Sequence, residues 1–162
     1  YSRGLIGNDL FINGIYYEDI GFVPKQYLKA NKIEYLNKSL YWYRIRENSI
    51  TTAISDDAYN KSLYSFEKLI ENYQELYKVE HKKIYYTFSF FIFFTMLVYV
   101  CNKKSKIEGK KLMLKYKYLL KDKHQLDLSY LSHRIIFFLY FPRVYIFLYD
   151  FYLKLRKVKY FQ

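Results

Sequence analysis

The stretch Ile84-Tyr85-Tyr86-Thr87-Phe88-Ser89-Phe90-Phe91-Ile92-Phe93-Phe94-Thr95-Met96-Leu97-Val98-Tyr99-Val100-Cys101-Asn102 runs for 19 residues without a charged side chain. As an α-helix it would span roughly 28 Å, close to the hydrocarbon thickness of a bilayer. Ten of its positions are Ile, Phe, Leu or Val, and together they favour insertion by about 3 to 6 kcal/mol. Tyr85, Tyr86 and Tyr99 stand near the ends, where aromatic rings with a polar tip prefer the headgroup region. The expectation is a transmembrane helix over 84–102, flanked by Lys82 and Lys83 on one side and Lys103, Lys104 and Lys106 on the other. The competing reading is the core helix of a soluble protein, which would need more covering chain than 162 residues readily supply.

The span begins too far from residue 1 to be a cleaved signal peptide. Residue 1 is Tyr rather than Met, so the start of the sequence carries no targeting information. Orientation follows from the lysines. After the span come Lys103, Lys104, Lys106, Lys110, Lys111, Lys115 and Lys117, opposed only by Glu108, whereas before it lysines and glutamates interleave. Basic loops stay on the side of synthesis. The C-terminal side is therefore expected inside, which in a mitochondrion is the matrix.

Outward from the span, residues 56–83 are expected to form an amphipathic helix. Tyr59, Leu63, Phe66, Ile70, Tyr73 and Tyr77 recur every three or four residues, which places them on one face as a seam for packing on the chain's own domain or on a partner protein. Asp56 and Asp57 open the helix, where carboxylates complement the helix dipole. An unbroken helix from there to Cys101 would measure roughly 68 Å.

Residues 1–55 read as a small mixed α/β region. Asn13-Gly14 between Leu10-Phe11-Ile12 and Ile15-Tyr16-Tyr17 is a β-hairpin signal, because both turn residues can take positive φ. Ser39 to Arg46 suits a strand, and Lys25 to Leu36 a short helix after Pro24.

Beyond the span, 103–133 is a basic segment in which Lys111 to Tyr118 alternates apolar and basic residues. The alternation fits a strand, and Leu112, Tyr116 and Leu119 fit a helix equally. Residues 134–153 are a marginal second span or an interfacial helix, followed by the basic tail 154–162. Twelve Ile, Phe, Leu or Val residues there favour insertion by about 4 to 7 kcal/mol, and Arg143 and Asp150 oppose it by about 5 to 7 if both sit deep. Pro142 kinks any helix through the stretch. Arg143 and Asp150, two turns apart on one face, are candidates to pair with a partner protein.

The overall net charge is +12. Residues 1–83 hold 12 basic against 11 acidic side chains, and residues 84–162 hold 15 against 4. So basic a half suits an anionic lipid surface or RNA. The single cysteine, Cys101, excludes an intrachain disulfide. Five glycines, none in a phosphate-loop or dinucleotide pattern, leave no nucleotide-binding motif. His81, His124 and His133 show no helical pairing with one another, and a lone Cys101 cannot assemble a zinc or iron–sulfur site. No catalytic, cofactor-binding or metal-binding residues are therefore expected. Lipid contacts are.

Phe, Tyr, Ile, Asn and Lys make up 80 of the 162 residues, the amino acids whose codons begin with two A/T letters. In this the chain resembles the lineage-specific hydrophobic proteins of AT-rich, ciliate-type mitochondrial genomes. The resemblance covers the whole chain and rests on no motif, so it implies an origin and assigns no residue. Together with the single span, the partner-packing surfaces and the lack of catalytic motifs, that origin leads to the expectation of a mainly α protein of the mitochondrial inner membrane, an accessory, non-catalytic subunit of a respiratory-chain complex (the NADH dehydrogenase or cytochrome oxidase assembly). Its partners would be neighbouring subunits and anionic, cardiolipin-like lipid. The alternatives are an ATP synthase membrane or peripheral-stalk subunit and, with Lys and Tyr interleaved over 111–123 and 154–160, an organellar ribosomal protein on rRNA. Nucleic acid is the weaker expectation, because arginine is scarce and ribosomal proteins rarely carry so long an uncharged run.

Overall fold

The computed structural model describes residues 3–42 and 55–159, the last four of these in backbone only. Among the described residues all regular structure is helical. The chain divides into two compact units, 1–69 and 70–162, with helix α3 running through the division.

In the first unit, α1 (Arg3–Ile6), α2 (Glu18–Lys29) and the first half of α3 (Asp56–Glu80) gather around a loop. Glu18 and Asp19 open α2, where their charge offsets the exposed backbone N–H groups. Pro24 lies inside α2, not ahead of it, so the helix starts earlier than Lys25 and ends before the expected Leu36. The anticipated hairpin is absent, although its turn is present, with Gly14 at φ 75. The flanking backbone is claimed by α3 instead. Ser65 Oγ accepts from the Tyr16 N–H at 2.8 Å, and Lys61 Nζ donates to the Gly14 carbonyl. A strand needs those groups for its ladder, and α3 has taken them. Residues 39–42 have no regular structure, and the rest of the expected strand, 43–46, lies outside the described residues.

Gly21 is the point of closest approach in this unit. A Cβ there would lie 3.0 Å from both Ile12 Cδ1 and Leu69 Cδ2. The Tyr17 ring stacks on Phe66 at 5.0 Å, and Phe11 stacks on Phe22 at 4.3 Å.

In the second unit the end of α3 is followed by a break, not by a continuous helix into the span. His81 takes a left-handed φ of 54 and Lys82 is extended, and α4 (Lys83–Lys103) starts afresh. Tyr73 packs on Phe88 at 5.2 Å and Tyr77 on Tyr86 at 5.2 Å, edge to face in the second pair. After α4, Ser105 caps α5 (Lys106–Lys115) by accepting from the Glu108 N–H. Ser105-x-x-Glu108 is a capping-box spacing. Gly109 then lets α5 lie against α4, because a Cβ there would fall 2.5 Å from Cys101 Sγ. The alternating segment 111–118 is thus helical. It continues into α6 (Lys117–Lys121) and two 3-10 turns, Lys123–Gln125 and Leu128–Tyr130.

The second apolar stretch is two helices, α7 (His133–Tyr140) and α8 (Pro142–Lys159). Phe141, at φ −129 and ψ 57, separates them. The residue before a proline is pushed out of the helical region, and proline suits a first helical position. A straight helix across 134–153 is thereby excluded.

The core of this unit is aromatic. Phe138 lies 5.1 Å from Phe94, 5.4 Å from Tyr145 and 6.1 Å from both Phe90 and Phe93, ring centre to ring centre. Phe90, Phe93, Met96, Leu119 and Phe138 are wholly buried.

Candidate interaction surface

Helix α4 alone is long and apolar enough to cross a membrane, among the described residues and by length and composition only. Its apolar window is 61% buried within the chain, so α5, α7 and α8 cover more of it than the sequence led one to expect. Of the apolar side chains of α4 only Phe91 is exposed, and Phe88, Val98 and Tyr99 are half-buried.

A larger apolar face belongs to α8. Val144, Phe147, Leu148, Phe151, Tyr152 and Leu155 are each between 48% and 65% exposed. Their spacing of 3, 1, 3, 1 and 3 residues is that of one continuous helical face, whereas Tyr145 and Ile146 turn inward. Phe137, Tyr140 and Phe141 of the α7 end are exposed as well. Single exposed apolar side chains are ordinary, but an unbroken stripe of them marks an interaction surface.

Hydrogen bonds and an ion pair tie both ends of α4 to the rest of the unit. At its start, Thr87 Oγ1 accepts from the Asp127 N–H at 2.9 Å, and the Tyr86 hydroxyl donates to the Tyr118 carbonyl at 3.3 Å. Tyr77 hydrogen-bonds Gln125. At the other end, the Tyr149 hydroxyl donates to Asn102 Oδ1 at 3.1 Å, and Lys106 meets Asp150 at 3.2 Å.

The expected site residues are placed as follows. Lys82 pairs with Glu80 at 2.7 Å, Lys83 and Lys103 are the first and last residues of α4, and Lys104 caps it. Of the seam on α3, Phe66, Ile70 and Tyr73 are buried by the chain's own residues, and Tyr59, Leu63 and Tyr77 are half-buried. Burial holds the Tyr73 hydroxyl well above the ordinary phenol value, so it stays neutral across the physiological range. Arg143 and Asp150 do not come together: Asp150 pairs with Lys106 and Lys154, and Arg143 is exposed beside a cavity.

Two residues that the sequence reading passed over organise this surface. Arg134 donates to the Tyr145 hydroxyl at 2.6 Å and lies 5.5 to 5.7 Å from the ring centres of Phe94, Tyr145 and Tyr149. A guanidinium among three rings joins α7 to α4 and α8 through cation–π attraction. Gly109 is the other, and a lone glycine within an apolar–basic helix was its sequence signal. Among the described residues no group of three His, Cys, Asp or Glu side chains is placed to hold a metal ion.

In comparisons with known proteins, no family model matches the chain, no curated protein matches it and no solved structure matches its fold.

Proposed function

We propose that the chain is a structural, non-catalytic subunit of a membrane assembly, in the mitochondrial inner membrane, packed beside the catalytic subunits of a respiratory-chain complex. The observation that carries this reading is the outward apolar stripe of α8, from Val144 to Leu155, on the same unit as a helix long and apolar enough to span a bilayer. Six large apolar side chains on one face disfavour a surface left to water. Against lipid tails or an apolar neighbour they incur no such cost. The AT-rich composition supports the mitochondrial origin.

A second reading is favoured by the burial of α4. With most of its apolar window covered and the lysine-bearing α5 folded back on it at Gly109, α4 can serve as the central helix of a bundle that sits on the membrane without crossing it. The two readings divide on alkaline carbonate extraction of membranes carrying the full chain. Retention in the pellet supports a spanning subunit, and release into the supernatant overturns it. Native electrophoresis in mild detergent with mass spectrometry then tests the assembly. Comigration with NADH dehydrogenase or cytochrome oxidase supports the proposal. Comigration with ATPase activity or with rRNA supports the stalk or ribosomal alternative instead.

A further inference from the structure

Between α5, α6 and α8 lies a cavity of about 640 Å³, open on one side. Its size falls within the range of small-ligand sites. Four cationic side chains line it, Lys106, Lys110, Lys117 and Arg143. Its floor is apolar, with Met113, Ile146 and Phe147 among the lining residues.

The charge here is not balanced from within. Lys106 is shared with Asp150, and Glu108 is engaged by Lys111 at 2.7 Å. Lys110, Lys117 and Arg143 have no carboxylate partner among the described residues. Three cations without a carboxylate partner on the lining of one apolar cavity favour an anion as their neighbour. An anion alone would leave the floor uncovered, and an apolar chain alone would leave the cations unmatched. Phe147 belongs both to the cavity and to the exposed stripe of α8, so the apolar floor continues outward along that helix.

We propose that this cavity binds one anionic phospholipid, its phosphate among Lys110, Lys117 and Arg143 and the start of an acyl chain over Met113, Ile146 and Phe147. Arg143 supplies a fork of donors matched to two phosphate oxygens, and the lysines act as point charges. The proposal rests on the membrane-associated reading for its supply of lipid but not for its geometry, which requires only this unit.

The test uses the full chain with short-chain phosphatidylglycerol below its micellar concentration, followed by native mass spectrometry and by titration. Phosphatidylcholine of the same chain length and inorganic phosphate form the other two arms. The expected result is one bound phosphatidylglycerol, with at least tenfold weaker binding of phosphatidylcholine and of phosphate. Each of Lys110→Gln, Lys117→Gln and Arg143→Gln should weaken it about fivefold, the scale of one basic residue at an anionic lipid surface. Lys78→Gln, on α3 and away from the cavity, should leave binding unchanged, and helical circular dichroism checks that every variant is folded. Equal binding of phosphatidylcholine, phosphate binding as tightly as the lipid, or no loss in the three variants each overturns the proposal. Release of the chain by carbonate with phosphatidylglycerol binding intact would overturn the spanning reading and leave this site standing. Retention in the membrane without the charge-dependent binding would do the reverse.

Discussion

Replacing Gly109 by alanine probes how closely α5 approaches α4. In an isolated helix the change is favourable, because glycine in a helix interior is less stable than alanine by about 0.5 to 1 kcal/mol. Here the added methyl would meet Cys101 Sγ at 2.5 Å and Leu97 Cδ1 at 3.4 Å. The second distance is a tight but ordinary contact, whereas the first requires the sulfur or the helix to move by about 1 Å to reach normal van der Waals separation. Forcing an extra methyl into a packed contact costs about 1 to 3 kcal/mol, which exceeds the propensity gain. Gly109→Ala should therefore destabilise the second unit by about 1 kcal/mol net, a fall of about 4 to 8 °C in the melting midpoint for a unit of this size. Removing the sulfur reverses the sign. In a Cys101→Ala background, Gly109→Ala should stabilise by about 0.5 to 1 kcal/mol, since only the propensity gain is left. The coupling between the two sites, about 1 to 3 kcal/mol, is read from a double-mutant cycle by thermal melts of helical circular dichroism. A Gly109→Ala protein at least as stable as the parent, or one that Cys101→Ala fails to rescue, would refute the contact between α4 and α5.

Phe138→Ala, at the centre of the buried ring cluster, should destabilise by about 3 to 5 kcal/mol. Phe147→Ala on the exposed stripe should change stability by less than about 0.5 kcal/mol, and comparable losses in the two melts would contradict the inward–outward assignment. Ser65→Ala leaves the Tyr16 N–H without its acceptor and should cost about 1 to 3 kcal/mol, visible as faster amide exchange at Tyr16. Hydrogen bonds from Lys29 and Gln26 hold the Asp9 carboxyl below the usual carboxylate value of 3.8. The stability this gives is complete above the ordinary pKa and is lost as pH falls through the lowered one. Asp9→Asn should therefore flatten the acid limb of the first unit's pH–stability curve, and an unchanged acid limb would show that the ion pair does not contribute.

The long helices were legible because their signals are local and redundant. The seam from Tyr59 to Tyr77 and the uncharged run from Ile84 to Asn102 each repeat one message over many residues, and both became helices. The hairpin failed for a non-local reason. Asn13-Gly14 does turn, but Lys61 and Ser65, nearly 50 residues on, took the backbone groups that a ladder would have used. At His81 the break in the long helix has no glycine or proline to announce it. Pro142, by contrast, was read correctly as an obstacle and proved to be a boundary. The cover over α4 was underestimated because the basic segment that holds α5 fitted a strand and a helix equally. Its Ser105-x-x-Glu108 cap and the single Gly109 were the residues that could have shown a helix able to lie close.

The order of the elements along the chain has a consequence for how the protein is made. Everything that covers α4 within its unit on the C-terminal side, from α5 to α8, is synthesised after it. At about 5 to 20 residues per second, the bare uncharged helix waits several seconds before α7 and α8 exist to shield it. During that interval it presents to the translation exit the same face as any membrane span, whatever its final surroundings. An insertase or a holding chaperone would thus meet α4 ahead of the cover that α7 and α8 later provide.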